Sequence, residues 1–148
     1  PRMRPWRTAW PEPGRARVEE KEGTMVRALV IDDSRALRSL MGRMLRDLGF
    51  EVVEACHGKD ALERIREGAP PTIALVDWNM PEMNGLEFVR SLRQDDSFKD
   101  VLVMMVTTET EATQMVSALD AGANEYLMKP FTREALVEKL DLLSVEHA

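Results

Sequence analysis

A single cysteine, Cys56, occurs in the chain, so no disulfide can form within it. Its place at the close of a strand-like run suits packing better than catalysis. Long apolar runs are missing as well. The longest, Val101 to Val106, falls far short of the roughly 20 residues that a membrane-crossing helix needs. No apolar segment follows the arginines near the N-terminus, which argues against a secretory signal and makes the cytosol the expected compartment. Clustered cations are lacking too. Residues 1–24 carry six Lys/Arg against four Glu, whereas residues 25–148 carry fourteen Lys/Arg against twenty-two Asp/Glu, a net of −8. A domain so charged is unsuited to gripping a nucleic-acid backbone, while an acidic mouth gathers divalent cations. With 44% hydrophobic and 31% charged residues among 148, the chain suits one soluble domain with a core of ordinary size.

Residues 1–24 hold four of the eight prolines and show no helical or strand period, so they read as an extended or disordered tail. Trp6 and Trp10 stand there without a supporting pattern, and Met25 is a candidate natural start. From Met25 onward short β-branched runs alternate with amphipathic helices. The first helix places Leu37, Leu40, Met41, Met44, Leu45 and Leu48 on one stripe, with Ser34 as N-cap and Gly49 as the stop. A strand over 50–55 follows, then a helix over 59–67 using Ala61, Leu62 and Ile65. A strand over 72–76 leads to a helix over 85–95 that buries Leu86, Val89 and Leu92. A strand over 101–106 precedes a helix over 110–121. That helix is expected to bury Ala112, Met115, Val116 and Leu119 and to turn Glu111, Gln114, Ser117 and Ala118 outward. A short strand over 125–128 and a helix over 133–144, using Leu136, Val137, Leu140 and Leu143, complete the series. Five βα units imply an α/β fold, a doubly wound parallel sheet with helices on both faces. Ligands of such sheets bind outside the carboxyl ends of the strands.

That rim is where the polar residues fall. Asp32-Asp33 follow Ala28–Ile31, Asp77 follows Ala74–Val76, Thr107 follows Val101–Val106, and Lys129-Pro130 follow Tyr126–Met128. Two carboxylates about 4 Å apart repel by about 4 kcal/mol at an effective dielectric of 20, so three need counter-charge. A divalent cation and Lys129 supply it. Oxygen-only ligands with no His or Cys nearby favour a hard ion, Mg²⁺ above all where phosphate is also bound. A carboxylate beside Mg²⁺ and an ammonium can attack a phosphoryl group and hold it as an acyl phosphate. Thr107 is a suitable hydroxyl donor to a phosphoryl oxygen, and Lys129-Pro130 suggests a tight turn that fixes the ammonium.

Four stretches carry a family resemblance. They are Val30-Ile31-Asp32-Asp33-Ser34, Asp77-Trp78-Asn79-Met80-Pro81-Glu82-Met83-Asn84-Gly85, Val106-Thr107-Thr108-Glu109, and Ala121-Gly122-Ala123 through Tyr126 to Lys129-Pro130-Phe131. With these, the chain resembles the receiver domain of two-component response regulators, in its CheY-like, stand-alone type. The resemblance covers about residues 26–144 and marks 25–148 as the receiver (response regulatory) domain. It implies a flavodoxin-like (βα)5 sandwich with strand order 2-1-3-4-5, an order implied by the family and not by the spacing. It further implies Asp77 as phosphoacceptor, Asp33 and Asp77 as Mg²⁺ ligands, Asp32 as a ligand through water, and Asn79 as a backbone-carbonyl ligand. Thr107 and Lys129 would contact the phosphoryl group and Tyr126 would be the switch aromatic. Departures are few: Thr108 is larger than the residue common there, Asn84 replaces a frequent aspartate, and His57 stands in place of an acidic residue as a solvent-facing turn residue.

The implied function is a phosphorylation-activated switch, not an enzyme beyond its own phosphorylation and dephosphorylation. The phosphoryl group would come from a sensor histidine kinase, a phosphotransfer protein or a small acyl phosphate. Output would pass from the fourth helix, fifth strand and fifth helix to a separate partner such as a flagellar motor switch, with the receiver a monomer or weak dimer. Few residues follow the last helix, so no output domain is expected within the chain. Two rivals fit less well. A flavin carrier would need a phosphate-cradling loop where Asp32-Asp33-Ser34 stands, and a turnover phosphatase would need a general acid where Asn79 stands.

Overall fold

Strands β1 (Arg27–Ile31) and β3 (Ile73–Asp77) are buried along their whole length, as the centre of a parallel sheet demands. The computed structural model from which these elements are taken describes residues 26–68, 70–108 and 114–148. β2 (Glu51–Ala55), β4 (Leu102–Thr107) and β5 (Glu125–Met128) complete a five-stranded sheet in the order β2-β1-β3-β4-β5, parallel throughout. The helices among the described residues are α1 (Arg35–Asp47), α2 (Gly58–Arg66), α3 (Gly85–Arg93), α4 (Met115–Ala121) and α5 (Arg133–Leu142), with a 3₁₀ turn at Asp96–Phe98. The doubly wound flavodoxin-like architecture and its strand order are therefore as expected.

Side-chain alternation divides the core in two. Ile31, Val76 and Met105 face a cluster with Leu62, Phe88, Leu92 and Met115, beneath α2, α3 and α4. Val30, Leu75 and Val106 face the other, with Met41, Leu45, Leu136 and Leu140 of α1 and α5. Helix starts are fixed by side chains. Ser34 accepts from the Leu37 amide, Thr132 from the Ala135 amide, and Asn84 forms a reciprocal capping box with Glu87. Gly49 stops α1 with φ 93°, a backbone angle that a side chain would resist.

Several expectations need correction. Leu37 and Leu40 are 37% and 45% exposed, so the buried stripe of α1 is Met41, Leu45 and Leu48. The first turns of α1 stand at the strand rim, where the two leucines line a groove with Thr108, Lys129, Pro130 and Phe131. In α4 the inward pair is Met115 and Ala118, while Val116 and Leu119 are 67% and 41% exposed. A seven-residue helix buries one narrow stripe at i, i+3, and the neighbouring apolar pair is left to solvent. Ala118 therefore points in, against expectation, and the outer face is more apolar than expected. Phe88, absent from the expected core, is fully buried in α3. His57 is the N-cap of α2, its Nδ1 accepting from the Asp60 amide at 3.1 Å, and not a bare turn residue. Cys56 is exposed rather than packed; its amide is satisfied by the Asp60 carboxylate. The tail, Met25, Ala112, Glu109, Glu111 and the expected first turn of the fourth helix lie outside the described residues.

Gly85 ties this scaffold to the rim. It begins α3 directly behind Asp77, and its amide donates to the Trp78 carbonyl at 2.9 Å. A Cβ there would stand 2.6 Å from Met105 Cε and 2.8 Å from the Asp77 carbonyl oxygen. Gly85→Ala is expected to lower stability in urea denaturation by about 1–3 kcal/mol through overpacking. An unchanged midpoint would show that the helix can step away from β3 without cost.

Candidate functional site

β1 and β3 are neighbours, so their carboxyl ends deliver Asp32 and Asp77 to one crevice. Asp32 is buried and closely held. Its amide donates to the Ala55 carbonyl at 3.2 Å, and its Oδ1 accepts from the Ser34 amide at 2.8 Å. Its carbonyl accepts from Arg38 Nη1 at 2.7 Å, and Arg38 is itself paired with Glu54 at 3.1 Å. Asp33 is exposed at the mouth. Asp77 ends β3 and is buried; the next amide, Trp78, donates to the Val106 carbonyl at 3.1 Å. Ligand oxygens of Asp32, Asp33 and Asp77 all lie within 4.8 Å of one another.

Lys129 enters from β5. Its amide donates to the Thr107 carbonyl at 2.6 Å, and the Lys129-Pro130 bond is cis. Lys129 Nζ donates to Asp77 Oδ1 at 2.9 Å and stands 3.6 Å from Asp32 Oδ2. The second distance gives charge attraction without a hydrogen bond. Asp32 Oδ2 thus remains a buried carboxylate oxygen with no hydrogen-bond partner. Thr107 is fully buried at the end of β4, its hydroxyl donating to the Thr108 carbonyl at 3.3 Å. Asn79 is exposed two residues past Asp77. Tyr126 is half-buried on β5, paired in register with Met105, two residues before Thr107 on β4. Asp32, Asp33, Asp77, Asn79, Thr107 and Lys129 therefore fall at the rim, and Tyr126 on the β4–β5 pair beside it.

Three carboxylates against one ammonium leave the pocket electrically unbalanced. Burial pushes the Asp77 carboxyl up to about 6, with Asp32 adding repulsion and the Lys129 bond opposing both. Burial raises Asp32 as well, against the pull of the Ser34 amide and Lys129. Burial lowers Lys129, but its contacts with Asp77 and Asp32 outweigh this and hold it above the usual lysine range. An oxygen-only donor set, an orphaned buried carboxylate oxygen and surplus negative charge together suit a hard divalent cation.

Two arginines that the sequence did not flag hold the surroundings. Arg38 anchors Asp32 to β2, as described. Arg93 donates to the Gly122, Phe98 and Asn124 oxygens at 3.1, 3.0 and 3.0 Å, and Asn124 Oδ1 also accepts from the Val103 amide at 2.8 Å. Arg93 thus ties α3 to the turns before β4 and β5, at the rim opposite the carboxylates. Neither arginine stands out in a helical pattern, because each acts through partners distant in sequence.

Residues 28–141 match the family model described as response regulator receiver domain. The chemotaxis protein CheY1 of Helicobacter pylori is 43% identical over 119 residues, covering 80% of this chain and 96% of that protein. A chemotaxis protein CheY homolog of Campylobacter jejuni is 41% identical, covering 78% and 90% respectively. Among solved structures, the chemotaxis response regulator CheY4 of Vibrio cholerae superposes with a TM-score of 0.75 at 35% identity, covering 81% of this chain and 99% of that one.

The raised Asp77 carboxyl has a thermodynamic consequence. In the unfolded chain it loses its proton near 3.8, in the folded chain near 6. Between those values the folded state holds a proton that the unfolded state has released, so stability from this group falls as pH rises through that window. Above it the penalty is constant, roughly 3 kcal/mol. Asp77→Asn removes it. The variant is expected to be about 1–3 kcal/mol more stable than the wild type at pH 7.5 without divalent cations, and nearly equal at pH 4. Urea denaturation at both pH values checks this, and an equal difference at the two would contradict it.

Proposed function

The chain belongs to the response regulator receiver family, and from that premise we propose that Asp77 is the phosphoacceptor of this phosphorylation-activated signalling switch. The observation that carries the reading is the buried Asp77 carboxylate, hydrogen-bonded to Lys129 and facing the two Asp32-Asp33 carboxylates. With its proton lost near 6, Asp77 is about nine-tenths ionised at pH 7 and ready as a nucleophile. One of its oxygens attacks phosphorus; the bond to the donor's nitrogen or oxygen breaks, and the donor leaves with that electron pair. The Lys129 ammonium, already on Asp77, neutralises the charge gathering on the phosphoryl oxygens. Thr107, one residue beyond the β3–β4 pairing of Asp77 with Val106, supplies a hydroxyl to them.

Mg²⁺ would be held by Asp33 and Asp77, by Asp32 through water and by the Asn79 carbonyl, and when bound supplies charge neutralisation to the transferring group. The donor would be a sensor histidine kinase, a phosphotransfer protein or a small acyl phosphate. The output surface would be α4, β5 and α5, where Val116 and Leu119 offer apolar contact to a separate protein. Resemblance to chemotaxis proteins favours a motor-control pathway. No helix among the described residues is long and apolar enough to cross a membrane, which accords with a cytoplasmic role.

Incubation with a small acyl phosphate and Mg²⁺, followed by intact-mass measurement, tests the assignment. The wild type is expected to gain one phosphoryl group and Asp77→Asn none. Equal gain by both would place the acceptor elsewhere.

A further inference from the structure

Lys139 stands on α5, a helix whose apolar side packs on the cluster of Val106, Leu127, Leu136 and Leu140. Tyr126 packs against the opposite cluster, on the other face of the sheet. The lysine nevertheless reaches the tyrosine: its Nζ stands 4.5 Å from the ring centroid, within cation–π range. It can do so because β5 is the edge strand, with no neighbour beyond it to block the way. The reach is guided by Glu125. One oxygen, Glu125 Oε1, accepts from Lys139 Nζ at 3.0 Å and from the Tyr126 amide at 3.0 Å. Both side chains are only about one-fifth exposed, so the contact is ordered and partly desolvated.

The Glu125 carboxylate thus holds the Tyr126 backbone and the Lys139 ammonium, and the ammonium covers the ring at the sheet edge. It holds the ring from outside, while on β4 the register partner of Tyr126 is Met105 and Thr107 lies two residues further along. We propose that Lys139, held by Glu125, is a latch on Tyr126 that favours the unphosphorylated arrangement and that the switch must release. This rests on the reading of Asp77 as phosphoacceptor and of Thr107 and Tyr126 as the elements that respond. Lys139 acts here through Tyr126 and is a positioning residue, remote from the phosphoryl group. A latch that stabilises the resting arrangement lowers the competent fraction, and the apparent affinity for any ligand of the active arrangement falls in proportion.

Beryllium fluoride, a phosphoryl mimic for carboxylates, tests this at saturating Mg²⁺, with the fluorescence of buried Trp78 beside Asp77 as readout. Lys139→Met keeps the aliphatic stem and removes the cation; Glu125→Gln keeps an acceptor for the Tyr126 amide and frees the lysine. Both are expected to lower the half-saturating fluoride complex concentration about two- to fivefold, the size of a cation–π contact. Lys139→Arg, which preserves the contact, is expected to match the wild type. Lys139→Met decides the matter, because loss of a positive charge by itself would weaken capture of an anion, whereas Glu125→Gln removes a negative one. Half-saturation unchanged or raised in Lys139→Met, with normal wild-type binding, would overturn the latch and leave the phosphoacceptor reading intact. A wild type that gives no saturable response would overturn both.

Discussion

The contact between Lys129 Nζ and Asp77 Oδ1 at 2.9 Å holds together a pocket that charge would otherwise drive apart. Around it three carboxylates lie with oxygens within 4.8 Å, a separation at which each pair of charges repels by roughly 3 kcal/mol at an effective dielectric of 20. One ammonium answers only part of this. Burial first, and repulsion after it, raise the Asp32 and Asp77 carboxyls, and one buried Asp32 oxygen has no hydrogen-bond partner. The fold enforces the arrangement. Parallel strands β1 and β3 end side by side, their backbones fixed by core packing and by Gly85 pressed behind Asp77, so the carboxylates cannot separate. Negative charge held at a fixed rim is the feature that a hard cation and a phosphoryl group can exploit.

From that pocket a short physical route leads to the edge of the molecule. Asp77 pairs with Val106, the Thr107 carbonyl takes the Lys129 amide, and Met105 pairs with Tyr126. β4 and β5 thus carry, within a few residues, every group that would sense a change on Asp77. On the proposed reading the opposing restraints are unequal. Arg93 braces α3 through four oxygen contacts, two to the turn before β4 and two to the turn before β5, whereas β5 is restrained at the open edge by Glu125 and Lys139. Movement is cheaper where the restraint is a few side-chain contacts at an open edge.

Much of this was legible in the sequence because two periodicities and one topological rule suffice for it. Apolar runs of three to six residues ended by Asp, Thr or Lys place those residues at the carboxyl rim once helices alternate with strands. The burial of individual helix positions was less legible. Leu37 and Leu40 share the period of Met41 and Leu45, yet stand where the sheet no longer lies beneath the helix. Val116 and Leu119 were exchanged for Ala118 because a seven-residue helix covers one stripe only. His57 as a helix cap, Arg38 behind Asp32 and the reach of Lys139 to Tyr126 all depend on neighbours brought together by the fold, and no local pattern encodes them.

The most direct test of the charge imbalance is to follow the Asp77 side-chain carboxyl carbon by NMR while titrating pH, with and without Mg²⁺. Without metal the midpoint is expected near 6; with saturating Mg²⁺ it is expected to fall below the ordinary carboxyl value of 3.8. A midpoint near 4 that Mg²⁺ leaves unmoved would contradict the account at its root.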